Sequence, residues 1–233
     1  VVIDPENYDT WRPEALWDEG TATSPIRVNA KLQNADGTPV AADARAKRFV
    51  FELVNVSHEP GIAGNMPRRD PKKTADLKFV AEENTHLEVS GDEGNVARTP
   101  DGRYLESHVV VSSFDWGAWG WIKVTAEMEG GTTIEGYLKG DRNHKPVRLP
   151  RRAANSFIPD SWKREKGAEK ADSDDGENEP KGLENCDGDG LTLYEEYRGF
   201  IENNAHIEGH PLKKDLFVRN MGGAALEPGI WLY

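Results

Sequence analysis

Gly120-Trp121-Ile122-Lys123-Val124-Thr125-Ala126-Glu127-Met128, followed by Glu129-Gly130-Gly131 and then Thr132-Thr133-Ile134-Glu135-Gly136-Tyr137-Leu138, decides the fold class. Ile122, Val124, Ala126 and Met128 recur at period two, so one face of this segment is apolar and the other polar, as in a half-buried strand. Gly130-Gly131 supplies the conformational freedom a tight turn needs, and the stretch predicts a hairpin that returns through Leu138. A hairpin cannot hold itself together in water, so its apolar face needs further strands.

The preceding sequence supplies them. Pro25 to Leu32 alternates Ile26, Val28, Ala30 and Leu32 with polar neighbours, and Asn34 to Pro39 is rich in turn residues. Phe49 to Val54 reads as a second strand, with shorter ones at Asp76 to Val80 and His86 to Val89, and a longer one from Tyr104 to Phe114 after Asp101-Gly102. No helical period intervenes. The expected fold is mainly β, a β-sandwich over residues 20–150. Residues 1–19, with Trp11 and Trp17, are expected as an extended lead-in. Ser57 to Lys73 is expected as an irregular surface loop.

The chain of 233 residues carries 29 Lys+Arg against 41 Asp+Glu, a formal net charge of -12. Nucleic acid is thereby excluded as a partner, because phosphate recognition draws on clustered basic residues. No apolar run approaches the ~20 residues of a membrane-spanning helix, so insertion by that route is not expected. Mean hydropathy is low at -0.72, yet seven Trp, six Tyr and seven Phe suffice to anchor a core. A single cysteine, Cys186, excludes an internal disulfide. From Val-Val-Ile-Asp at the start and Ile230 to Tyr233 at the end, the chain is expected to be a piece of a longer protein, residues 221–233 being a tail that continues into it.

The charge is concentrated. Residues 165–196 hold 12 acidic and 3 basic side chains, so one short stretch carries three-quarters of the excess. Such a run is a solvated, repelling linker or a cation site. Around it the texture becomes helical. Asp160 is placed to cap a short helix from Ser161 to about Lys170, and Leu193, Tyr194, Tyr197, Phe200 and Ile201 make one apolar face of a helix running from Leu191 to Asn203.

Between them lies Asn185-Cys186-Asp187-Gly188-Asp189-Gly190-Leu191-Thr192-Leu193-Tyr194-Glu195-Glu196. Oxygen-bearing side chains stand at positions 1, 3 and 5 (Asn185, Asp187, Asp189), a glycine at 6 and Glu196 at 12, the spacing of an EF-hand-type loop. Ca²⁺ is a hard ion that takes six to eight oxygens, and alternate residues of a tight turn aim theirs at one centre. The Leu191 backbone carbonyl would add an oxygen at position 7, and Glu196 would close the shell. Position 9 is Leu193, which has no side-chain oxygen, so Asp172, Asp174, Asp175 and Glu177 are the candidates to fill the gap. The expected cofactor is Ca²⁺, bound at the ~10⁻⁴–10⁻³ M typical of extracellular modules, with Mg²⁺ a poor competitor.

Asp187 to Tyr197 resembles the Asp-rich calcium repeats of bacterial secreted and surface proteins, which are similar to thrombospondin type 3 repeats and dockerin loops. Phe157 to Lys163 resembles the end of a preceding copy whose ligands are lost, Ala154 and Ser156 standing where acidic residues would be. Val124 to Gly131 resembles strands of bacterial immunoglobulin-like domains. The resemblance implies an immunoglobulin-like β-sandwich followed by a small EF-hand-like calcium-binding helical segment at residues 151–220, with one live site and one degenerate copy.

Other constellations have simpler readings. His206 and His210 lie four apart, but Gly209 breaks a helix and no third ligand is evident, so a surface loop is expected rather than zinc. Of Trp116, Trp119 and Trp121, at least two are expected in the core, leaving Trp116 as the candidate ligand-binding residue. No nucleophile elbow, phosphate loop or dinucleotide fingerprint occurs, and no catalytic residue is assigned. The sequence therefore points to a calcium-stabilised, non-catalytic module of a secreted or cell-surface bacterial protein, acting in structure or adhesion. Its expected partner is another domain of the same protein or a surface polysaccharide or protein. The alternatives are a carbohydrate-binding module, or an accessory or pro-region of a larger secreted hydrolase.

Overall fold

The computed structural model describes residues 1–16, 23–41, 43–66, 74–171, 173–176 and 188–215. The chain is mainly β. Among the described residues the first eleven strands in chain order are β1 (Val2–Pro5), β2 (Thr23–Lys31), β3 (Ala46–Val54), β4 (Leu77–Lys78), β5 (Glu88–Ser90), β6 (Val96–Arg98), β7 (Glu106–Ser113), β8 (Gly120–Met128), β9 (Thr133–Glu135), β10 (Tyr137–Leu138) and β11 (Val147–Leu149). They form one sheet in the order β10-β1-β2-β7-β4 and another in the order β11-β8-β3-β6-β5, with β9 on the side of β8.

Period-two patterning explains how the two sheets share one core. Along β8 every second residue from Gly120 to Ala126 is buried, and in β2 Ile26, Val28 and Ala30 are each at most 1% exposed. Those side chains meet Phe49 and Phe51 of β3 and Val109 and Val111 of β7 in a single apolar cluster. At roughly 25 cal/mol per Å² of apolar surface, burying each of these large side chains contributes about 1.5–3 kcal/mol.

The predicted hairpin forms, its turn carrying positive φ at Gly130 (99°) and Gly131 (86°). Its second arm is not one strand, however. It pairs with β8 through Glu135, then crosses to pair in parallel with β1 at Tyr137 and Leu138. Gly136 is the crossing point, where a Cβ would lie 2.9 Å from the Ile3 side chain and 3.1 Å from the Val124 carbonyl. A side chain there would separate the two sheets.

The N-terminal segment corrects the lead-in expectation. Val2–Pro5 is an interior strand, antiparallel to β2 and parallel to β10, with Ile3 fully buried. Four residues ending in Asp4-Pro5 are too short to display a period. The loop from Ser57 is likewise more than surface: Ile62 and Ala63 are buried against Trp116 and Ile201. Trp17, residues 67–73 of that loop and the expected tail lie outside the described residues.

Among the described residues two short helices follow, α1 (Asp160–Lys166) and α2 (Leu193–Arg198), then β12 (Phe200–Glu202) and β13 (Ala205–Ile207). Both helices are shorter than the sequence predicts, each for a local reason. Gly167 adopts φ 70° and closes α1, so the helix does not reach Lys170. Gly199 at φ 67° closes α2, and Asn203-Asn204, both at positive φ, turn the remainder into a hairpin. Phe200 and Ile201 therefore sit in a strand. Asp160 does not cap α1 either; Pro159 holds the cap position, and the Asp160 carboxylate accepts the Ala153 N–H at 3.1 Å. Ile158, Trp162, Ala168, Leu193 and Tyr197 make a second, smaller core, in which Trp162 and Tyr197 meet edge-on at 5.5 Å.

Candidate metal centre

The loop preceding α2 is tied by its own side chains. Gly190 takes φ 93°, which a β-carbon would strain, and Asp189 Oδ1 accepts the Leu191 N–H at 2.9 Å. Thr192 then starts α2 with a reciprocal cap: its hydroxyl accepts the Glu195 N–H at 3.2 Å, and Glu195 Oε2 accepts the Thr192 N–H at 2.9 Å. The cap commits Glu195 to the helix start. Glu196, the neighbour at loop position 12, points the other way and is only 1% exposed.

The hairpin of β12 and β13 reverses the chain and brings residues 208–215 back across this helix. Gly209 N–H donates to the Glu196 carbonyl at 2.9 Å. No larger residue fits at Gly209, since a Cβ would lie 2.8 Å from Glu196 Cβ and 3.0 Å from Asp215 Oδ2. Asp215 closes the arrangement: its N–H donates to Asp189 Oδ2 at 2.6 Å, and its own Oδ2 accepts the His210 N–H at 2.6 Å. One carboxylate oxygen from each of Asp189, Glu196 and Asp215 lies within 4.8 Å of the other two.

These separations fall within the span of a calcium shell. Two oxygens each ~2.4 Å from a common ion are separated by at most ~4.8 Å, the diameter of the shell. The donors are all carboxylate oxygens, the set that hard cations favour over the nitrogen and sulfur of zinc sites. Asp189, Glu196 and the Leu191 carbonyl would take the loop positions assigned to them, and Asp215 would stand in for the missing position 9.

The remaining sequence candidates are placed as follows. Asn185, Asp187, Asp172 and Glu177 lie outside the described residues. Asp174 is buried, but its carboxylate faces α1, where it accepts from Ser156 Oγ at 2.8 Å, Phe157 N at 2.5 Å and Lys163 Nζ at 3.2 Å. Asp175 is exposed and is not part of the converging group. Leu193 is fully buried in the small core. Asp215 has no mark in the sequence because it is 19 residues beyond Glu196; only the Asn203-Asn204 turn signal hints that the chain comes back.

Trp116 is half-buried with one ring face stacked on His206 at 3.7 Å and 4°, so that face is closed to a ligand. The His206 Nε2–H donates to the Arg198 carbonyl at 2.8 Å. Burial, opposed by this hydrogen bond, holds the His206 ring below its ordinary range and therefore neutral. The expectation that two of the three tryptophans lie in the core is not met: Trp119 and Trp121 are also half-buried, Trp119 stacking on Phe157 at 4.0 Å and meeting Trp121 edge-on at 5.5 Å.

No protein-family model and no curated protein matches the chain. Among solved structures, a crystal structure of the human F-spondin reeler domain (fragment 2) is similar over 58% of this chain and 84% of that one, at 13% identity and a TM-score of 0.33.

Proposed function

We propose that this chain is a calcium-stabilised, non-catalytic module of a secreted or cell-surface bacterial protein, an immunoglobulin-like sandwich carrying a small calcium-binding cap. The observation that carries the reading is the convergence of Asp189, Glu196 and Asp215 to within 4.8 Å, two of them at the loop positions the spacing assigns and the third brought in by a hairpin. Three carboxylates so close repel one another, and a cation among them would relieve that repulsion. The strand neighbours β1-β2-β7-β4 and β11-β8-β3 support the sandwich assignment, being the A-B-E-D and G-F-C orders of immunoglobulin-like domains. One departure from that pattern is β4, which precedes β5 and β6 in the chain.

The ion's role is structural. It neutralises part of the local acidic excess and fixes Glu196, and with it α2 and the small core. Millimolar calcium outside cells would fill a site of the expected strength, whereas cytosolic calcium would leave it largely empty, which supports the extracellular placement.

A thermal melt in calcium, in magnesium and in chelator tests this. Ion at 100 times its dissociation constant adds ~2.7 kcal/mol, raising the midpoint by a few degrees. Calcium should do this and magnesium much less. Coincident melts in all three solutions would overturn the reading.

A further inference from the structure

Helix α2 has six residues and two obligations. One face presents Glu196 to the acidic group. The other is fastened to the sandwich. Tyr194 Oη donates to the Gly117 carbonyl at 2.9 Å. Arg198 donates from Nε to Asp115 Oδ1 at 3.0 Å, and from Nη2 to Asp115 Oδ2 at 2.6 Å and the Pro60 carbonyl at 2.7 Å. Asp115 is 0% exposed, in the loop that links β7 to β8. Beyond the helix, His206 bonds the Arg198 carbonyl and stacks on Trp116, the next residue of that loop.

The fit is close enough to have no slack. A Cβ on Gly117 would stand 2.8 Å from Tyr194 Oη and 2.9 Å from Arg198 Cγ. Glu196 lies between the two fastening residues, so any shift of the helix on the sandwich moves its carboxylate relative to Asp189 and Asp215. A calcium shell yields in angle but little in length, because each oxygen must stay at about 2.3–2.6 Å from the ion.

We infer that ion occupancy at Asp189, Glu196 and Asp215 and the docking of α2 on the 115–117 loop are one linked equilibrium, so that a sandwich loop supplying no ligand sets the calcium affinity. The inference rests on the calcium reading above. Linkage is reciprocal: whatever docking adds to calcium affinity, calcium adds to docking. The sandwich and cap would then stiffen together when calcium is present.

The test is calorimetric titration of the full chain with calcium chloride, in the wild type, in Gly117→Ala and in Tyr194→Phe, each shown by circular dichroism to be folded. Ile122→Val serves as a core control remote from the joint. The expected result is a dissociation constant raised about five-fold or more in both joint variants, the lower end of measured couplings, and unchanged in the control. If Gly117→Ala does not fold, Tyr194→Phe decides alone. Wild type that binds calcium alongside joint variants of equal affinity overturns the linkage and leaves the calcium reading standing. Wild type that takes up no calcium overturns both.

Discussion

Asp76 is 3% exposed beneath the joint, beside the Asp115–Arg198 pair. Burial first, and then the Asp115 charge, push its carboxyl up from 3.8 to about 8, against the opposing pull of the Glu59 N–H, Ser57 and Arg198. The unfolded chain releases this proton near 3.8 while the native chain keeps it to about 8. The native state thus binds more protons across that interval, and the group's contribution to stability falls as pH rises through it, levelling above about 8. Asp76→Asn, neutral at every pH, should flatten that part of the stability profile and leave the variant more stable than wild type at pH 8, as read by urea unfolding from pH 5 to 9. An unchanged slope would show that Asp76 ionises normally. Arg198 itself is lowered by burial, but the Asp115 carboxylate overrides this and holds it charged. Removing one member of a buried ion pair leaves the other uncompensated, so Arg198→Met should cost ~3–5 kcal/mol in the same assay. Little of this was legible in the sequence. Glu196 follows from spacing along the chain, whereas Asp115 and Arg198 are 83 residues apart and nothing local marks them as partners.

At the scale of elements, α2 shows which signals survive folding. Its start, expected at Leu191, lies at Leu193; the spacing of Thr192 and Glu195 is the signal that the apolar pattern overrode, and their reciprocal cap forms. Its end is not written in the apolar pattern, because Phe200 and Ile201 continue the helical spacing after Gly199 has already broken the backbone. Backbone conformation outranks side-chain periodicity there. The same holds at Gly136, where an apparently continuous strand changes sheets, and at β1, whose burial comes wholly from tertiary pairing. Longer alternating segments such as β2, β3 and β8 were readable because each buries one face over at least five consecutive residues. Thr192→Ala should lower stability by ~1 kcal/mol through loss of the cap alone, measured by chemical unfolding in calcium. A loss near zero would mean the loop holds the helix start without it.

Across the described residues, the two larger of three apolar cores are joined by polar contacts. The larger lies between the sheets, and the smaller, around Trp162, Leu193 and Tyr197, is too slight to be stable by itself. The small core depends on what braces it: the Asp115–Arg198 pair, the Trp116–His206 stack, the Lys163–Asp174 contact and, on the calcium reading, one bound ion. The uneven charge of the sequence fits this division, since the acidic excess lies in and just before the cap. The most direct measurement is a calcium titration by calorimetry comparing wild type with Asp215→Asn, the ligand that only the fold reveals. One ion per chain is predicted for wild type, with an affinity at least about tenfold weaker when Asp215 loses its charge, a loss of ~1.4 kcal/mol. Equal affinity in the two proteins, or no uptake by either, would contradict a calcium-braced cap.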